Sequence, residues 1–253
     1  MCLLLFSWKK NADHDLILAA NRDEFYERPT AKAGYWAAHP NLLAGRDLVA
    51  GGTWIGVTKS GRFAALTNYR DPKNIDPKAP SRGQLTTDYL ISELSPKDYL
   101  SKLKDEKKPY NGFNLLIGDA DSLFYYNNIN YNIKELLPGT YGLSNGLLND
   151  NWPKVTSGKN ELRQILEEEN SKELALAALF KMLENPQQAE DSTLPKTGVS
   201  IEWERTLSPL FIATDKYGTR CSTIITKSKN KVQFVEKSYE TPYQEKAFIK
   251  INF

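Results

Sequence analysis

Residues 2–8, CLLLFSW, are apolar at odd and even positions alike. Side chains alternate between the two faces of a strand, so such a strand must be covered on both sides. A polar turn, KKNADHD, separates it from LILAANRD at 16–23, and the two segments read as a hairpin ending near NRDEF. RPTAKAGYW and AGRDLVAGG then read as a looping region. A second hairpin follows, TWIGVT and RFAALTNY, with KSG between its arms.

Helical patterns interrupt the strands twice. SRGQLTTDYLISELS carries Leu85, Tyr89, Leu90 and Leu94 at helical spacing, and SPKDYLSKLKDEKK opens with Ser95 as N-cap and Pro96 in the first turn. FNLLIGD and SLFYYNN resume as strands joined by a short turn. From Trp152 to Asn185 the pattern is helical again, NELRQILEEEN and SKELALAALFKMLEN, with a break expected near Asn170 and Ser171. After the polar loop NPQQAEDSTLPKTG, the chain closes with strands in SPLFIATD, STIITKS, KVQFVEKS and KAFIKI. Strands and helical pairs in blocks exclude a doubly wound parallel sheet, which alternates them one by one. The order fits an α+β protein: a four-layer αββα sandwich, with two mostly antiparallel sheets face to face and helices outside. The two-sided strand 2–8 would then sit in the middle. No linker divides the chain, so residues 1–253 are expected to form a single domain.

Lys+Arg 33 against Asp+Glu 31 leaves a net charge of +2, which gives no electrostatic case for a nucleic-acid partner. No stretch approaches the roughly 20 apolar residues of a transmembrane segment. The apolar start ends at Lys9 and Lys10 without a signal-peptide pattern, so a cytoplasmic location is expected. Cys2 and Cys221 offer no disulfide framework and suit a reducing compartment. His14 and His39 stand in turn-like contexts without zinc spacing, so neither a metal nor a cofactor is expected, and no G-x-S-x-G elbow supports a Ser-His-Asp triad.

Any chemistry therefore needs a base other than histidine. Removal of Met1 would leave Cys2 with a thiol and a free α-amine, and a neighbouring N-terminal amine, titrating at about 7.7 to 8.0, activates a weak nucleophile. In AANRDEF, alternation puts Asn21 and Asp23 on one face and Arg22 and Glu24 on the other. If the Asp23 face looks toward Cys2, its carboxylate could hold the protonated amine; a salt-bridged hairpin end is the plainer alternative. Arg22 is expected to point away from Cys2 into an ion pair, Cys221 to be a buried thiol facing opposite to Arg220, and the Cys2 thiol to titrate below its ordinary value. Asn68, at the end of ALTNYRD, and Asn145, in YGLSNG, could donate to an oxyanion or simply form turns. Arg220 enters a late strand in GTRCST.

MCLLLFSW, LAANRDEF, AGRD, GGTWIGV, ALTNYR, YGLSNG and YGTRCSTI together resemble the NRDE family, also called the transport and Golgi organisation protein 2 family. The motifs run from residue 2 to about residue 225. The resemblance implies an N-terminal nucleophile hydrolase-like fold and a link to Golgi organisation, lipid metabolism and haem handling, without an agreed reaction. The choloylglycine hydrolases of that wider fold use an N-terminal cysteine, which falls on Cys2. Their aspartate falls on Asp23, their asparagines on Asn68 and Asn145, and their late arginine on Arg220. Their early arginine stands three residues before the aspartate, where this chain has Ala20; Arg22 departs from the pattern. The expected activity is that of a cysteine hydrolase cleaving a linear amide, with Asn68 and Asn145 at the oxyanion and Asp23 and Arg220 orienting the nucleophile. The rival expectation is a non-catalytic carrier of a small acyl lipid or haem.

Overall fold

The structure, a computed structural model, describes residues 2–168, 176–229 and 231–253. The chain forms two compact units, one of Met1–Glu27 with Pro138–Phe253, the other of Arg28–Leu137.

The first unit is built on a six-stranded antiparallel sheet of β1 (Cys2–Trp8), β2 (Leu16–Phe25), β10 (Gly139–Leu143), β11 (Tyr217–Ser228), β12 (Lys231–Thr241) and β13 (Gln244–Asn252). Its order is β10-β1-β2-β11-β12-β13, which makes β1 an interior strand. Leu3, Leu5, Ile17, Ala19, Ile224 and Val235 alternate onto one face and bury against α3 (Pro153–Glu168) and α4 (Leu176–Leu183). Each such leucine contributes about 1.5–3 kcal/mol of transfer free energy. Two glycines bring α3 close: a Cβ on Gly142 would meet Val155 Cγ1 at 2.8 Å, and one on Gly158 would meet Leu5 Cδ1 at 2.5 Å. The expected helix break near Asn170 and Ser171 lies outside the described residues.

The second unit carries a seven-stranded antiparallel sheet in chain order: β3 (Thr30–Trp36), β4 (His39–Asp47), β5 (Ile55–Thr58), β6 (Phe63–Asn68), β7 (Phe113–Gly118), β8 (Leu123–Asn127) and β9 (Ile133–Glu135). One face packs on α1 (Gly83–Ile91) through Leu85, Tyr89 and Leu90, and on α2 (Pro96–Glu106) through Tyr99, Leu100 and Leu103. Ser95 caps α2 as expected, its hydroxyl accepting the Asp98 N–H at 3.1 Å.

Two segments differ from expectation. The looping region at 28–52 contains β3 and β4, and its poor strand-forming composition is carried by an edge strand whose register slips between Ala31 and Gly34. SPLFIATD is not a strand. The Thr214–Tyr217 turn brings the chain straight back, so the segment is tied locally, by Thr219 N–H to the Ile212 carbonyl at 2.8 Å and Phe211 N–H to the Asn185 carbonyl at 2.9 Å. A short helix, α5 (Ile201–Thr206), also went unread.

Candidate active site

Register decides which side chains surround Cys2. In the antiparallel β1–β2 pair Cys2 stands directly across from Arg22, and Arg22 stands directly across from Cys221 on β11. Directly opposed residues share a face, so Cys2, Arg22 and Cys221 form one row on the face that the helices do not cover. Asn21 and Asp23 take the other face, where α3 and α4 pack. The alternation along NRDE holds, yet the expected faces are reversed: Arg22, not Asp23, lies beside the Cys2 thiol, because position 2 pairs with position 22. The expected ion pair between Arg22 and Glu24 is present at 3.9 Å.

Between Thr219 and Cys221 the β2–β11 register shifts by one residue, and Arg220 is the extra residue of a β-bulge. The bulge sets Thr219 opposite Asp23, and Thr219 Oγ1 donates to Asp23 Oδ1 at 2.8 Å. Arg220 turns its guanidinium to the strand end, Nη1 donating to the carbonyls of Phe25 at 2.8 Å and Tyr26 at 3.1 Å. Burial, then the charge of Arg22, push Arg220 below its ordinary value.

Both cysteines are free and buried. Burial pushes the Cys2 thiol up and Asp23 and Glu24 add to the rise, while the chain's α-amine and Arg22 pull it down. The expectation of a lowered thiol is therefore not met in the chain as it stands, since desolvation outweighs the adjacent guanidinium. Cys221 is pushed up further, by burial and by Glu236, a buried carboxylate on the same face that accepts from Thr223 Oγ1 at 3.1 Å. Asp23 has no exposed surface; burial raises it, against the pull of Lys154, the Thr219 hydroxyl and Arg22.

Asn145 follows β10 and is fully buried. Its neighbour Ser144 donates through Oγ to the Cys2 carbonyl at 3.2 Å and lies 3.4 Å from Asn145 Oδ1. The loop then turns tightly, Asp150 Oδ2 accepting the Leu147 N–H at 2.6 Å. Cys2, Asp23, Asn145 and Arg220 thus gather at one end of the six-stranded sheet. Asn68 belongs to the other unit; it ends β6, half-buried and paired in register with Phe113, and its role rests on the resemblance alone.

Sequence reasoning missed Lys154 and Glu236. Both are residue types that a pattern assigns to solvent, and both are buried. His14 sits in the β1–β2 turn, at the far end of β1 from Cys2, and His39 opens β4 across from Trp36.

Solved structures share this fold. Conjugated bile acid hydrolase from Clostridium perfringens, in a mutant form, superposes with a TM-score of 0.59 at 11% identity, covering 100% of this chain and 92% of that one. The N-acylethanolamine-hydrolyzing acid amidase orthologue from Caenorhabditis elegans superposes with a TM-score of 0.52 at 12% identity, over 89% and 92% of the two chains. The fold is α+β, two mostly antiparallel sheets with helices, and is similar to that of the N-terminal nucleophile hydrolases. Within it, the family described as Transport and Golgi organisation 2 matches residues 1–241, and the chain belongs to that family. The Transport and Golgi organization 2 homologues of Mus musculus and Homo sapiens are each 36% identical, over 94% of this chain and 93% of theirs. The Drosophila melanogaster protein is 31% identical over 94% and 92%. Among the described residues no helix is long and apolar enough to cross a membrane.

Proposed function

We propose that this chain is an N-terminal cysteine hydrolase that cleaves a linear amide in the cytoplasm. The observation that carries the reading is the placement of Cys2 at the first position of an interior strand, with Arg22 across from it and buried Asp23 one step beyond. A fold shared with two amide-cleaving enzymes supports it, and two free thiols suit a reducing compartment.

Removal of Met1 exposes the α-amine of Cys2 at the end where Asp23 lies. Cys2 Sγ attacks the carbonyl carbon as its proton passes to that amine, and Asp23 stabilises the ammonium formed. Asn145 donates to the tetrahedral oxyanion. Collapse breaks the carbon–nitrogen bond, the leaving amine takes the proton from the ammonium, and water hydrolyses the thioester to a carboxylic acid and free thiol. The raised thiol fits proton transfer at the moment of attack better than a resting thiolate. Arg220 holds the end of β2 through two carbonyls, which fixes where Asp23 stands.

Burial of the Cys2 thiol also favours a second reading, a non-catalytic carrier of an acyl ligand, because buried thiols are commonly inert. The experiment compares chain beginning at Cys2, released from a cleavable fusion, with chain retaining Met1, on a panel of fatty-acyl and bile-acyl amides. Hydrolysis by the first form only is expected. Acyl-ligand binding that is equal in both forms and in Cys2→Ala, with no turnover, would establish the carrier instead.

A further inference from the structure

Lys154 stands in the first turn of α3, where a cation opposes the helix dipole, and it is 2% exposed. A buried ammonium is costly unless an anion faces it. The helix is held on the sheet by its next residue, Val155, against Gly142, and by Gly158 against Leu5. Its first turn therefore lies over the face that carries Leu3, Asn21 and Asp23. Asp23 is the fully buried carboxylate there, and its charge interacts with that of Lys154. Also acting on Asp23 are the chain's α-amine, the Thr219 hydroxyl from β11, Arg22 beside it on β2, and the Cys2 thiol from β1. In mature chain that amine is carried by Cys2.

We propose that Lys154 is a positioning residue: from beneath the sheet its ammonium holds the Asp23 carboxylate ionised, so that Asp23 can receive the ammonium formed on Cys2 during attack. The inference rests on the reading of Cys2 as nucleophile and adds to it a lysine that acts through Asp23. Thr219 alone is a weak counterweight to burial, since a neutral hydroxyl stabilises a carboxylate less than a charge does. Arg22 is turned to the opposite face of the sheet.

The test uses full-length chain beginning at Cys2, labelled with 13C at the aspartate carboxyl carbons, with the Asp23 signal assigned by its loss in Asp23→Asn. In Lys154→Met the Asp23 titration midpoint is expected to rise by about one to three pH units. The acid limb of the pH profile of kcat/KM should move by the same amount, and Lys154→Arg should leave both near wild type. An Asp23 midpoint unmoved in Lys154→Met overturns the inference, whatever the activity. A shifted midpoint in Lys154→Met, with mature wild-type chain hydrolysing no amide, overturns the nucleophile reading and leaves the pair standing. If Lys154→Met does not fold, adding Asp23→Asn should restore folding, because both charges are then gone. A double variant no more stable than the single overturns the inference.

Discussion

Among the described residues, the charged side chains that are buried, Arg22, Asp23, Lys154, Glu204, Lys227 and Glu236, belong to the unit that carries Cys2, whereas the other unit buries threonines and asparagines. In that second unit neutral side chains bond to one another. Asn114 Nδ2 donates to Thr67 Oγ1 at 3.1 Å, Tyr125 donates to Asn114 Oδ1 at 2.7 Å, and Asn127 Nδ2 donates to Tyr125 at 3.3 Å. Neutral networks of this kind specify packing at modest cost. Glu204, in the first unit, is similarly local, accepting from Thr197 through the backbone at 2.9 Å and the hydroxyl at 2.6 Å. Arg22, Asp23 and Lys154 are different: they converge on the start of β1 from both faces of one sheet. Buried ionisable groups cost several kcal/mol each when badly paired, and their concentration at one strand end marks where the molecule is built for chemistry.

The largest expected effect concerns the thiol. Cys2→Ser in mature chain should lower amide hydrolysis by about 1000-fold or more while leaving the circular dichroism spectrum unchanged. Hydrolysis at the wild-type rate would move the chemistry away from the charged unit altogether.

Next comes the contrast between charged and neutral burial. Asp23→Ala removes the buried carboxylate that interacts with Lys154 and should cost about 3–5 kcal/mol of stability. Asn114→Ala removes the partner of Thr67 and Tyr125 and should cost about 1–3 kcal/mol. Urea midpoints of the two variants would check this, and equal losses would erase the distinction between the units.

The smallest effect is the pH dependence of two aspartates. Asp23 is raised by burial, so its contribution is fully present below about pH 3.9 and is lost as pH rises through its folded value. Asp47, in the other unit, is lowered: burial opposes, but the Arg28 guanidinium and the N–H groups of Ala50 and Val49 prevail. Its contribution is present above about pH 3.9 and is lost as pH falls through its folded value. Thermal midpoints should therefore fall with rising pH relative to Asp23→Asn, and fall with declining pH relative to Asp47→Asn. A single common direction would break the comparison.

How much of this was legible follows from which rule governed each residue. The two-faced strand 2–8, the caps of α2 and the block order of strands and helices are local signals, and they located both sheets and four helices. β3 and β4 were illegible because alanine, glycine, proline and lysine make poor strands; β3 is held by pairing with β4, β4 by pairing with β5, and Trp36, Leu42 and Ala44 by packing into the core. At the site, alternation along NRDE was readable but its absolute face was not, since one residue of cross-strand register exchanges Arg22 for Asp23 beside Cys2. Lys154 was hidden for another reason: burial of a lysine depends on a carboxylate 131 positions away in sequence, on another element. Asn21 likewise proves structural only in three dimensions, its amide donating to the carbonyls of Leu183 and Leu210 at 2.8 Å each.

The extra residue at Arg220 makes this end of the molecule sensitive to length rather than to chemistry. β11 counts in one phase from Cys221 onward and in the opposite phase up to Thr219, so deletion of Arg220 would close the bulge and leave the pairs on both sides in register. Thr219 would still stand opposite Asp23, but the end of β2 would lose the two carbonyl contacts that Arg220 now makes. Insertions and deletions at this strand, more than substitutions, are the changes by which a descendant of this chain could keep its fold and part with its site.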